Sequence, residues 1–213
     1  VTLLQDLHGA DIGVESSVAK IFNSETSWQI ADDALQIHGG SGFIEETGVA
    51  RILRDCRITR IFEGANEVLR FNLASGALTT KGEPSAALAP LLTQAELADF
   101  GARYDALAKR LDEDTLALRK RYGMKVFDRQ IFLEGLADAL IGRWVWAATL
   151  LRAEHELPKL STKHAEHRLV LLRHLSELCT ARIEHGLQIM AATERESLCD
   201  ALAAAELASL ATL

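Results

Sequence analysis

Helical periodicity sustained over long stretches constrains this chain more than any other feature. From Val14 the apolar positions Val18, Ile21, Trp28 and Leu35 recur at three-, four- and seven-residue steps, with Ile30, Ala34 and Ile37 widening the stripe. Residues at those separations share one face of an α-helix, so the spacing predicts an amphipathic helix from Val14 to about His38, stopped by Gly39-Gly40. Only three prolines and two tyrosines stand against many alanines and leucines in 213 residues, of which 48% are apolar. Such a chain favours helix over sheet and can bury a sizeable core, and the fold class expected is all-α.

After the glycine turn, Thr47 is placed to cap a short helix to about Cys56, and Asn66 to N-cap another running to about Leu78. Residues 1 to 10 read as the end of a further helix or its connection, with Leu3, Leu4 and Leu7 packed inward. The segment TTKGEPSAALAP from Thr79 to Pro90 loses the periodicity and holds glycine, serine and two prolines, as a linker does. The expected division is therefore a first helical unit over 1–80, a linker over 81–91 and a helical tail over 92–213. In the tail, Thr93 with Glu96 makes a capping box before a helix ending near Gly123. Asp128 can cap a helix to about Glu156, Ser161 one to about Ala192, and Thr193 with Glu196 makes a second box. Four helices on short loops suggest an up-down bundle.

With 23 basic and 30 acidic side chains the net charge is −7, which argues against a nucleic-acid-binding surface, since that surface needs clustered positive charge. Cys56, Cys179 and Cys199 are odd in number and lack CxxC spacing, the pattern of a reduced compartment. No basic stretch followed by an apolar one opens the chain, and the most apolar run, Gly135 to Leu151, is interrupted by Asp138 and Arg143. Neither a signal peptide nor a spanning helix is expected. The chain opens on Val1 in mid-pattern and reads as a C-terminal piece of a longer protein.

The stretch Gln36–Arg70 carries the candidate chemistry. Glu63 stands between the apolar pair Ile61-Phe62 and Gly64, just before a helix. An acid beside apolar neighbours tends to have a raised pKa, and the glycine lets a bulky ligand approach the backbone, so Glu63 reads as a proton acceptor; the alternative is a solvated acid facing a helix dipole. Gly39, Gly40 and Gly42 either simply end a helix or free backbone N–H groups for phosphate oxygens. Arg51, Arg54, Arg57 and Arg60 recur every third residue, a spacing that drifts around an α-helix, and pairing with Glu45, Glu46 and Asp55 is favoured over phosphate binding. His164, His167 and His174 with Glu166 lack a completing ligand set and are expected to face solvent, with no metal. Trp144, Trp146, Ile141, Val145 and Leu150 are expected in a bundle core or subunit interface rather than in lipid.

The run Gln36–Phe43, followed by RILRDCRITRIFEGANEVLR, resembles the C-terminal signature of the acyl-CoA dehydrogenase family, closest to its very-long-chain branch. The likeness extends loosely into FDRQIFLEGLADALIGRWVWAATLLRA from Phe127 to Ala153. The resemblance implies an FAD-dependent dehydrogenase of fatty acid β-oxidation, in the bacterial cytoplasm or the mitochondrial matrix. It implies Glu63 as the base that takes the α-proton of an acyl-CoA, giving a trans-2-enoyl-CoA, with Gly64 keeping the thioester side of the pocket open. It assigns Gln36, Ile37, His38, Gly39 and Gly40 to the adenine and pyrophosphate part of FAD, often that of a neighbouring subunit, and Ala65, Asn66 and Glu67 to the flavin. Ala65 replaces the family's usual hydroxylated residue, and the Arg54-Asp55 pair reads as structural. The implied partners are an electron-transfer flavoprotein, further copies of the chain in a homo-oligomer, and a membrane surface met by the tail; by itself the chain is expected to be inactive. The competing reading is a non-catalytic helical dimerisation or interaction module.

Overall fold

Every regular element among the described residues is helical, in a computed structural model that describes residues 12–79, 87–192 and 201. Among the described residues seven α-helices follow one another: α1 Gly13–His38, α2 Gly40–Phe43, α3 Val49–Ile58, α4 Asn66–Thr79, α5 Ala98–Tyr122, α6 Gln130–Glu156 and α7 Thr162–Ala191. Short 3₁₀ turns at Glu45–Thr47, Ala89–Leu91, Ala95–Leu97, Gly123–Asp128 and Leu157–Lys159 punctuate them. The chain divides into two compact units, Val1–Leu73 and Ala74–Leu213, a division that falls inside α4. Residues 80–86 of the expected linker, the Leu3, Leu4 and Leu7 segment, and the Thr193–Glu196 box with its fourth tail helix lie outside the described residues.

In the first unit α1 packs chiefly on α3 and buries Val18, Ile21, Ser24 and Ala31. The stripe is narrower than its apolar residues suggest. Ile30 and Ile37 each lie two residues beyond Trp28 and Leu35, about 200° further round the helix, and are 62% and 85% exposed. Helix α1 therefore presents apolar side chains on two opposite faces. It stops where expected, because Gly39 takes φ 59 and ψ −140, a conformation essentially restricted to glycine, and its N–H bonds back to the Gln36 carbonyl.

The second unit is built on α6 against α7. Gly135 and Gly142 on α6 and Gly186 on α7 let the backbones meet, and a Cβ on Gly186 would stand 2.3 Å from the Gly135 carbonyl oxygen. Around that contact Phe132, Leu136, Ile141, Trp146 and Leu150 of α6 are buried, with Trp144 and Val145 half-buried. The two charges interrupting the apolar run face other helices: Asp138 accepts from Arg182 of α7 at 2.8 Å, and Arg143 donates to Asp112 of α5 at 2.8 Å. No helix among the described residues is long and apolar enough to cross a membrane.

Several expected caps are made differently. Asp128 closes a 3₁₀ turn and Arg129 precedes α6, with no side-chain cap. Thr93 does not pair with Glu96; its N–H and hydroxyl, and the Gln94 N–H, all go to Glu154 on α6, 60 or 61 residues further along. These bonds, led by the one from the Thr93 hydroxyl, hold the Glu154 carboxyl below its usual range. Ser161 does precede α7, but its hydroxyl faces His164 Nδ1 instead of a backbone N–H. Thr47 lies in a 3₁₀ turn, from which its hydroxyl oxygen takes the Val49 N–H at the start of α3 at 3.5 Å, while Gly48, with φ 74, leads into the helix.

Candidate active site

The loop joining α3 to α4 has an unusual backbone. Helix α3 tightens at its end, where the Ile61 and Phe62 N–H groups both return to the Ile58 carbonyl. The chain then reverses through Glu63 at φ 54 and Gly64 at φ 90, and the Asn66 N–H closes the loop on the Arg60 carbonyl at 3.0 Å. Among the described residues Glu63 alone holds a positive φ without being glycine. For an L-residue that conformation costs roughly 1–2 kcal/mol. A Cβ on Gly64 would meet the Leu69 side chain at an ordinary 3.4 Å, so its φ, not lack of space, calls for glycine.

The consequence of the strained turn is chemical. The Glu63 N–H finds no acceptor among the described residues, so one residue offers a free backbone donor and a carboxylate together. Glu63 borders an open groove of about 610 Å³ between α1 and α3, whose walls include Lys20, Ser24, Ile52, Cys56 and Phe62. Ile61 and Phe62 do not enclose the acid as their apolar character suggests; they are 52% and 50% exposed, and Glu63 itself is exposed. Dry surroundings for Glu63 would therefore have to come from surfaces other than these two neighbours.

Asn66 is the first residue of α4 rather than its cap. Its side chain is fully buried and faces α1, with Nδ2 donating to the Ser24 hydroxyl at 2.9 Å and Oδ1 accepting from Lys20 Nζ at 2.7 Å. Its N–H is engaged as well, by the Arg60 carbonyl, so the polar groups of Asn66 serve the loop, with Ala65 and the exposed Glu67 beside it. Lys20 also donates to the Gly64 carbonyl at 2.7 Å. Burial lowers the Lys20 pKa, against the opposing pull of Glu67, Glu25 and Glu63. Sequence reasoning passed over Lys20 and Ser24, yet a signal was present: Lys20, Asn23, Ser24 and Ser27 stand at i, i+3, i+4 and i+7, a polar stripe beside buried Ile21.

The glycine turn is a separate place. Gln36 lies sixteen residues beyond Lys20 on α1, roughly 24 Å along the axis, and residues 36–40 do not line the Glu63 groove. Gln36, Ile37, His38, Gly39 and Gly40 are all exposed, and a Cβ on Gly39 or Gly40 would meet nothing within 4 Å. Their backbone is thus open to a bulky group, which fits a dinucleotide. Gly42 differs: a Cβ there would stand 2.7 Å from the Leu35 carbonyl oxygen, so it serves the packing of the turn.

The arginine series divides. Arg54 binds Glu45 through two hydrogen bonds of 2.6 and 3.0 Å, Arg57 lies over the Trp28 ring at 5.8 Å, and Arg60 reaches Glu25 at 4.0 Å. Arg54 is thus paired with Glu45, one of the acids expected to hold the series. His164, His167 and His174, with Glu166, are exposed.

Residues 2–78 match a family model described as the acyl-CoA dehydrogenase C-terminal domain. The mitochondrial very long-chain specific acyl-CoA dehydrogenase of Mus musculus is 51% identical over 73 residues, 34% of this chain and 11% of that protein. Its Homo sapiens counterpart is 42% identical over 92 residues, 43% of this chain and 14% of that protein. An acyl-CoA dehydrogenase of Bacillus anthracis, solved in complex with FAD, superimposes with a TM-score of 0.75 at 23% identity, covering 89% of this chain and 35% of that one. That likeness is one of fold, and it extends beyond residues 2–78 into the helical tail. The chain spans only 11–14% of the curated relatives' length and about a third of the solved structure's.

Proposed function

We propose that this chain is the C-terminal part of a flavin-dependent acyl-CoA dehydrogenase, with Glu63 as the base that takes the α-proton of an acyl-CoA thioester. The observation that carries the reading is the left-handed Glu63 turn, which offers an unpaired N–H and a carboxylate from one residue at the edge of a groove. An α-hydrogen beside a thioester is a weak acid, so removing it requires that the charge developing on the thioester oxygen be stabilised as the proton leaves. The Glu63 N–H supplies a donor for that oxygen while the Glu63 carboxylate receives the proton, and Gly64 leaves the approach free of a side chain. The chemistry supplied by bound FAD is acceptance of the hydride from the β-carbon, which completes the trans double bond.

The residues that would hold FAD are those of the open turn, Gln36 to Gly40, with Ala65 and Glu67 beside the base; Asn66, between those two, has its N–H and side chain engaged within the loop. Because the turn lies roughly 24 Å along α1 from Lys20 beside the base, the two places serve different cofactor copies if the enzyme is a homo-oligomer. The apolar faces of α1 agree with a segment covered by further protein, and an electron-transfer flavoprotein is the partner that would carry the electrons away. In the full-length enzyme Glu63→Gln should reduce dehydrogenation by several orders of magnitude with FAD stoichiometry unchanged; a rate within about tenfold of wild type would refute the base.

A further inference from the structure

The Glu63 turn is unfavourable for its own residue, and what holds it comes from a different helix. Lys20, on α1, places Nζ 2.7 Å from the Gly64 carbonyl oxygen and 2.7 Å from Asn66 Oδ1, bracketing the loop just beyond Glu63. Asn66, fully buried, donates in turn to Ser24, whose hydroxyl donates to the Ile21 carbonyl at 3.1 Å. The loop's other closure, from the Asn66 N–H to the Arg60 carbonyl, belongs to the same residue. A donor on the Gly64 carbonyl fixes the orientation of the peptide that follows the two positive-φ residues. A relaxation of Glu63 towards ordinary φ would rotate that carbonyl away from Lys20. The ammonium has donors for both oxygens at once, which no uncharged side chain of similar length provides.

We infer that Lys20 is a positioning residue: it clamps the Gly64 carbonyl to Asn66 and thereby keeps Glu63 in the left-handed conformation that presents its N–H and carboxylate together. The inference rests on the reading of Glu63 as the base, but its first test does not. In the 213-residue chain, Lys20→Met keeps the aliphatic stem and removes both bonds. Hydrogen exchange at the Asn66 amide should then rise roughly tenfold, the effect of losing a charge-assisted hydrogen bond. Ser24→Ala, which removes one bond of Asn66 but spares the Gly64 carbonyl, should raise it less than Lys20→Met does. In the full-length enzyme Lys20→Met should lower kcat on the order of 10–100-fold with KM changed less than about twofold, as expected when a reacting group is misplaced while substrate binding stays intact.

Unchanged exchange, exchange no faster than in Ser24→Ala, or faster exchange with kcat intact each overturns the clamp. Should the Met variant lose helical circular dichroism, Lys20→Gln, polar but too short to span both oxygens, carries the same expectations. Activity surviving in Glu63→Gln would refute the base while leaving the exchange result standing, so the two failures are distinguishable.

Discussion

Gly186→Ala is the sharpest test of the tail's architecture. The added Cβ would lie 2.3 Å from the Gly135 carbonyl oxygen and 2.9 Å from the Ala139 Cβ, and the first of these atoms is backbone, which no rotamer change can move. A normal carbon–oxygen approach is about 3.3 Å, so α7 must retreat from α6 by about 1 Å locally. A gap of that size forfeits a quarter to a half of the dispersion attraction of every side chain packed across it. Leu136, Ala139, Ile183 and Leu187 are all buried in this unit and would pack less closely. Overpacking ordinarily costs about 1–3 kcal/mol, and with a backbone contact and a loosened helix pair we expect ~3–5 kcal/mol. With a urea m-value of about 2 kcal/mol/M for a unit this size, the midpoint should fall by about 1.5–2.5 M. Tryptophan fluorescence in a Trp28→Phe background leaves Trp144 and Trp146, both in the tail, as reporters. Gly135→Ala, whose Cβ would be 2.8 Å from a movable Ile189 methyl but 2.9 Å from the Gly186 carbonyl oxygen, should cost less; Gly142→Ala, with contacts of 3.0 and 3.1 Å, should cost least of the three. Gly76→Ala, where a Cβ meets nothing, should be neutral or stabilising by about 0.5–1 kcal/mol. A Gly186→Ala midpoint within about 0.3 M of wild type would refute the close-packed α6–α7 interface.

Three further outcomes are open to direct measurement. Burial pushes the Cys179 thiol up to about 11, so at pH 8.5 Cys56, half-buried at the edge of the groove, should be alkylated by iodoacetamide while Cys179 is not; peptide mass mapping that finds both modified alike would contradict the burial. Because the folded Cys179 pKa exceeds its ordinary value of 9.0, its contribution to stability is present below pH 9 and lost as pH rises towards 11. Cys179→Ala should therefore flatten the alkaline limb of a stability–pH profile. The Glu154 carboxyl is held low by Thr93 and Gln94, so its contribution is present above pH 4.5 and lost as pH falls below that value; Glu154→Gln should make the urea midpoint less sensitive to acid, and an unchanged acid limb would count against the clasp.

What the sequence made legible was local. The period of α1 and its stop at Gly39 follow from residues within one or two turns of each other, and so does the end of α5, where Gly123 takes φ 54 after Tyr122. The Glu63-Gly64 turn was visible as a motif, although the left-handed backbone at Glu63 was not, because nothing in the order Ile-Phe-Glu-Gly requires it. The misread residues are polar ones with two competing partners. Thr93 has Glu96 three residues away, yet Glu154 wins by accepting from the Thr93 N–H, the Thr93 hydroxyl and the Gln94 N–H together, which one side chain in a capping box does not match. Asn66 could have capped α4, yet an amide entering the interior must satisfy both its ends, and Lys20 with Ser24 does so.

The same competition bears on how the candidate base is held. A residue in the left-handed region persists there only where its surroundings over-determine the backbone. At Glu63 three restraints converge: the Arg60 carbonyl on the Asn66 N–H, Lys20 on the Gly64 carbonyl, and the buried Asn66 amide on Ser24. Each is worth on the order of 1 kcal/mol or more, so together they exceed the roughly 1–2 kcal/mol that the turn costs. Loss of any one reduces that margin, but only Lys20 binds next to Glu63 and within α4 at the same time. The residue with the most leverage over the turn therefore lies 43 positions before it, on a helix that a reading of the loop alone would not include.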